Sequence, residues 1–263
     1  MSIKFSKWHA NGNDFLITEC LSQDFSLNKK SISQIANRHQ GIGFDQLILV
    51  CPPINPKSDF SFRFFNADGT EAGNCLNGSR CAVSFIKQQH FSKKDSLVVD
   101  IKNSSNSYSI SRGSVATEST MATSLNIPRA LDKHLLRFKL KKVGFVDIGN
   151  KHLILSSKSK PSSIDLISLD KVIRSIANFN DSNISVFHKD KNVVSVRTSE
   201  NGVGETLSCG SAAAAIASLL NEKNLVIVSP GGKLKTLKTK KDKIILKGPT
   251  EHIMECTWER KKK

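Results

Sequence analysis

The chain has 263 residues, 38% of them apolar, enough for two packed domains of about 130 residues or one large one. The apolar residues are dispersed, with no run of about 18 that would span a membrane, and the start, MSIKFSKWHANGNDFLI, lacks the apolar core of a secretion signal. A cytoplasmic protein with no membrane partner is therefore expected. A formal charge of +16 invites a nucleic-acid reading, but one Tyr and two Trp offer little stacking surface, and lysine-rich runs (Lys139 to Lys142, Lys233 to Lys243, Lys261 to Lys263) read as solvated surface.

In chain order, an alternating strand pattern leads to a turn at Gly12-Asn13 and an apolar run, Phe15-Leu16-Ile17. Gly43-Phe44-Asp45-Gln46 opens a second apolar run, and Phe60 to Phe65 reads as a strand. A loop carrying Cys75 follows, then a helix that Asn77 can cap, with Ala82, Phe85 and Ile86 on one face. Gly, Ser, Thr and Pro128 interrupt the periodicity over residues 113–135, which reads as a boundary. Beyond it, Phe138, Leu140, Val143 and Phe145 continue an apolar pattern, and Gly149-Asn150 is a second turn into an apolar run. Asn183-Ile184-Ser185-Val186 and the strand Val193 to Thr198 come next. Cys209 then precedes an alanine-rich helix suited to tight burial.

The second half echoes the first. Gly12-Asn13 and Gly149-Asn150 are 137 residues apart, as are Gln46 and Asn183. Asn66 and Glu200 each stand nine residues before a cysteine, and Glu71 and Glu205 each stand four before, both pairs offset by 134.

The six cysteines (Cys20, Cys51, Cys75, Cys81, Cys209, Cys256) are too few for a disulfide scaffold and show no C-x-x-C spacing, so reduced thiols, most of them small buried hydrophobes, are expected, with no metal and no cofactor. Cys75 and Cys209 differ from the rest in preceding a helix. That position lowers a thiol's pKa and presents unpaired backbone N–H groups to a carboxylate. Two related halves, each with such a cysteine, supply what inversion of an amino-acid centre needs: one group to remove the α-proton and another to return it on the opposite face. Aimed backbone dipoles would stabilise the carbanion without an electron-sink cofactor.

The stretches Gly12-Asn13-Asp14-Phe15, Gly41-Ile42-Gly43-Phe44-Asp45-Gln46-Leu47, Phe65-Asn66-Ala67-Asp68-Gly69, Asn77-Gly78-Ser79-Arg80-Cys81, Gly204-Glu205-Thr206, Cys209-Gly210-Ser211 and Pro230-Gly231-Gly232 resemble diaminopimelate epimerase, over nearly the whole chain. The resemblance implies an α/β (α+β) fold of two pseudo-symmetric domains, each a rolled, mostly antiparallel sheet around a central helix, with the active site in the cleft between them. The halves would be residues 1–120 with Cys75 and residues 121–263 with Cys209, a C-terminal strand being able to cross back to the first. Cys75 and Cys209 match the family's catalytic thiols. The turns after them, Leu76-Asn77 and Gly210-Ser211, would bind the α-carboxylate, and Asn13, Gln46, Asn66, Asn150, Asn183 and Glu200 fall at substrate-contact positions. Leu76 stands where the family has glycine, Lys151 where it has proline, and Asn201 where it has an arginine that grips the distal carboxylate. That carboxylate is then left to nearby amides, Asn201 among them, or to a basic residue from elsewhere.

The implied activity is epimerisation of LL- to meso-diaminopimelate by a cofactor-free homodimer, in lysine and peptidoglycan precursor synthesis. Two alternatives stand beside it: a racemase of the same fold acting on another amino acid, and a basic nucleic-acid-binding protein without catalysis.

Overall fold

The computed structural model describes residues 2–23, 27–102, 104–111, 114–176, 179–241 and 243–259. The lysine run Lys261 to Lys263 lies outside the described residues. The chain divides into two compact units, residues 1–117 with 248–263, and residues 118–247.

In the first unit, strands β1 (Ser2–Ala10), β2 (Asn13–Glu19), β3 (Gln46–Cys51), β4 (Phe60–Asn66), β5 (Ser96–Ile101), β6 (Ser104–Ser111) and β7 (Ser114–Thr120) pair in chain order. The β2–β3 and β4–β5 pairs are parallel and the others antiparallel. A parallel pair needs a crossover, and two helices supply it: α1 (Lys29–Ala36) between β2 and β3, and α2 (Leu76–Gln88) between β4 and β5.

The apolar runs of β2 and β3 are continuous rather than alternating because both of their faces are buried. Phe15, Ile17 and Ile48 pack with Cys81, Ala82, Phe85 and Ile86 of α2, while Leu16, Leu47 and Leu49 pack with Ile32 and Ile35 of α1. The sheet curls around α2, which touches β1, β2, β3 and β6. Gly78 lets the helix come this close: a Cβ there would meet Ile48 Cδ1 at 2.9 Å and Phe15 Cε1 at 3.0 Å.

The second unit repeats the scheme. It comprises β8 (Thr123–Ser124), α3 (Leu131–Arg137), β9 (Leu140–Asp147), β10 (Lys151–Ser157), α4 (Leu166–Arg174), β11 (Asn183–Asp190), β12 (Val193–Glu200), β13 (Gly204–Thr206), α5 (Gly210–Leu220), β14 (Asn224–Ser229), β15 (Gly232–Lys238) and β16 (Lys243–Pro249). From β9 the pairings run antiparallel to β10, parallel to β11, antiparallel to β12, parallel to β14, then antiparallel to β15 and β16, the same order as from β1 to β7. Helix α5 takes the place of α2, packing on β9, β10 and β15 with Ala212 to Ala215 and Ala217 buried.

The division between the units, after residue 117, lies within the stretch read as a boundary, 113–135, part of which is structured as β7, β8 and the start of α3. The last strand, Glu251–Glu259, pairs antiparallel with β1, Ser2 opposite Glu259. Without it the edge of β1 would be a bare row of donors and acceptors. Residues 248–259 therefore group with the first unit rather than with residues 121–247.

Candidate active site

Each unit presents one cysteine at the N-cap of its central helix, in almost the same extended conformation: φ −122°, ψ 109° at Cys75 and φ −116°, ψ 111° at Cys209. The cap of α2 is thus Cys75 and not Asn77, which lies inside the first turn. The reason is that the Cys75 sulfur accepts the Gly78 N–H at 3.4 Å, the bond a capping serine would make. The first amides of a helix have no intrahelical acceptor, and Leu76-Asn77 and Gly210-Ser211 stand at those ends of α2 and α5.

In the first unit the Cys75 thiol points to Asn13 Oδ1 at 4.0 Å, and Asn77 Nδ2 donates to the same oxygen at 3.4 Å. Asn13 is held in turn by Asp45, to which its Nδ2 donates at 2.8 Å. Beneath this group Arg80 is fully buried, donating to Asn77 Oδ1 at 2.8 Å and to the Pro249 carbonyl at 3.1 Å, and burial depresses its pKa. Gln46 and Asn66 face each other across β3 and β4, Gln46 Nε2 donating to Asn66 Oδ1 at 3.1 Å. The other Gln46 amide atom, Oε1, is buried with no hydrogen-bond partner among the described residues.

In the second unit Cys209 is buried and its sulfur lies 3.3 Å from the Ser211 hydroxyl. Burial, followed by the charge of Glu200, pushes this thiol well above its ordinary value. The helix end lowers a thiol's pKa, as the sequence suggested, but desolvation outweighs it here. Glu200 is positioned by Thr206, whose hydroxyl donates at 2.6 Å.

The structure adds a residue the sequence reading passed over. His152 Nε2 lies 3.1 Å from Asn150 Oδ1, 3.1 Å from Ser211 Oγ and 3.3 Å from Asn183 Nδ2, so one imidazole joins three candidate residues. Asn183 Oδ1 accepts the Asn201 N–H at 2.9 Å. The signal was available, because the residue 137 positions earlier is Phe15, wholly buried, and a histidine at a matched core position breaks the pattern. The other departures also find partners: Lys151 pairs with Asp181 at 2.8 Å, and Asn201 Oδ1 accepts from Arg174 Nη1 at 3.3 Å.

Burial lowers the His152 pKa from 6.5 to about 4. The unfolded chain takes up a proton between those values and the folded one does not. Stability should therefore fall as pH drops from about 6.5 toward 4, by about 3 kcal/mol. His152→Phe, which copies Phe15, should flatten that slope in urea melts at pH 7 and 4.5 while lowering activity. A slope unchanged from the parent would refute the assignment.

Residues 5–121 match the family model described as diaminopimelate epimerase. The diaminopimelate epimerases of Acinetobacter baumannii strains AYE and ATCC 17978 are 30% and 31% identical to this chain over 277 aligned residues, which cover 97% of this chain and 96% of each relative. Among solved structures, a phenazine biosynthesis protein of the PhzF family from Bacillus anthracis shares the fold with a TM-score of 0.75 at 15% identity, over 99% of this chain and 100% of that one. A hydroxyproline epimerase from Agrobacterium vitis shares it with a TM-score of 0.67 at 8% identity, over 97% of this chain and 92% of that one.

Proposed function

The chain belongs to the diaminopimelate epimerase family, and from that premise we propose that it interconverts LL- and meso-diaminopimelate, with Cys75 and Cys209 exchanging protons at one α-carbon. The observation that carries this is the matched pair of N-cap cysteines, each at the head of a helix whose first amides suit a carboxylate. One thiolate takes the α-proton. The electron pair left on carbon spreads into the α-carboxylate, where helix-end N–H groups take up the charge, and the second thiol returns a proton on the opposite face.

The roles at rest differ. Cys209, held protonated by burial and by Glu200, is the proton donor, which leaves the role of base to Cys75. Gln46 Oε1, an acceptor without a partner among the described residues, suits an N–H of the substrate ammonium.

Diaminopimelate carries a second amino-acid end, whose carboxylate needs a cation. Arg174 fits that need. Its Nε is anchored on Asp170 at 2.9 Å and Nη1 reaches the Asn180 carbonyl and Asn201, while Nη2 has no partner among the described residues. A guanidinium here disfavours lysine or another cationic side chain, which weighs against the racemase alternative. Incorporation of solvent deuterium at Cα of diaminopimelate, without pyridoxal phosphate, tests the proposal; faster exchange into lysine, histidine or glutamate would overturn the choice of substrate.

The family resemblance further supports a cytoplasmic homodimer that feeds lysine and peptidoglycan precursor synthesis. The last strand leaves Ile253 and Met254 exposed, apolar surface that a second copy would cover. Light scattering should give twice the chain mass for the parent and the monomer mass for Ile253→Asp/Met254→Asp. A monomeric parent would refute the dimer.

A further inference from the structure

Strands β2 and β3 run parallel with Glu19 opposite Val50, and the Cys20 N–H donates to the Val50 carbonyl at 2.8 Å, which carries the register one step on and sets Cys20 opposite Cys51. The ladder stops there because residue 52 is proline and has no N–H to return. Partners on adjacent strands lie about 4.8 Å apart, within the Cα separation of about 4.4–6.8 Å that a disulfide accepts. Both side chains lie on the α1 face, packed against the same apolar cluster, and both are partly exposed.

Arg63 shares this face. It stands opposite Leu49, two residues from Cys51, in a forked ion pair with Glu71. A hydrogen bond from the Cys20 thiol, and then the Arg63 charge, hold the Cys51 thiol below its ordinary value, while the same bond pushes Cys20 up. Reactive cysteines occupy such partly exposed, electropositive places. By contrast, Cys81 is wholly buried, and burial raises both its thiol and that of Cys256.

We propose that Cys51 and Cys20 form a thiol–disulfide exchange site, separate from the catalytic thiols, that reacts with low-molecular-weight disulfides such as oxidised glutathione and closes to an intramolecular disulfide. The Cys51 thiolate attacks one sulfur of the small disulfide, forming a mixed disulfide and expelling one thiolate. Cys20 then loses its proton and attacks the Cys51 sulfur, forming the Cys20–Cys51 bond and releasing the second small thiol. Two protein thiols are oxidised and one small disulfide is reduced to two thiols. The site lies at the far ends of the strands that begin at Asn13 and Gln46, about 20 Å along them.

The test is a non-reducing peptide map of the full-length protein after exposure to oxidised glutathione, repeated in a Cys75→Ala/Cys209→Ala background. A linked Cys20–Cys51 peptide is expected in both. Cys20→Ser, which removes the resolving thiol, should trap glutathione on Cys51, and Cys51→Ser should leave Cys20 unmodified. Parent protein with both thiols free while Cys256 or Cys75 is modified would overturn the proposal, as would a Cys20→Ser protein with no adduct on Cys51.

Discussion

Cys75→Ala and Cys209→Ala are each expected to lower kcat/KM for inversion by about 10²–10⁴-fold, the usual worth of a positioned acid or base. The fold should survive both changes, but not equally. The Cys75 sulfur caps α2 by accepting the Gly78 N–H, so its loss should cost roughly 1 kcal/mol, whereas Cys209 makes no side-chain cap bond and gives up only packing. Serine separates cap from chemistry: Cys75→Ser keeps a capping acceptor, yet its hydroxyl cannot ionise as a thiol does, so stability should hold while inversion is lost. Cys81→Ala is the control, because that thiol is wholly buried inside α2 with its ionisation suppressed. Either alanine variant retaining most of its activity with unchanged circular dichroism would end the two-thiol mechanism.

Arg174→Gln should raise KM for diaminopimelate, with kcat/KM falling about 10- to 150-fold, the equivalent of the 1.5–3 kcal/mol that hydrogen bonds to a charged group contribute. Glutamine can still meet Asp170, which also accepts from the Ser199 hydroxyl at 2.7 Å, so the helix should stand. Asn201→Arg alone should bring no gain, because it sets a second guanidinium beside the first. In the Arg174→Gln background the same change should restore activity by supplying the missing fork. A loss of equal size for amino acids without a second carboxylate, and no rescue in the double variant, would assign Arg174 a structural role only.

The cysteines that precede helices and the repeat were legible because local chemistry writes them: a turn, a cysteine, then residues of helical spacing, twice; that Cys75 and not Asn77 caps α2 was not. Gln46 and Asn66 were nameable by resemblance, but their mutual hydrogen bond depends on the β3–β4 register, which spacing alone does not give. Arg174 escaped notice because it lies on α4, 27 residues before the side chain it serves, in a pattern that reads as an ordinary amphipathic helix. Cys20 and Cys51 escaped for a related reason. Thirty residues and α1 separate them in sequence, and only the parallel crossover brings them abreast. The matched glutamates, Glu71 and Glu205, proved to be partners of Arg63 and Arg197 in forked ion pairs, so part of the repeat serves architecture rather than chemistry.

The strand that returns to β1 sets the order in which the molecule can be completed during translation. Residues 118–247 are contiguous and can close as soon as they have been made, but the first unit, begun earlier, must wait for residues 251–259 before β1 gains its second neighbour. Throughout that interval a nascent chain exposes one edge of β1, a template for pairing with other chains. Ribosomal stalling between residues 118 and 250 should therefore leave a product that aggregates through its earliest strand although the buried apolar clusters of its first unit have already been made.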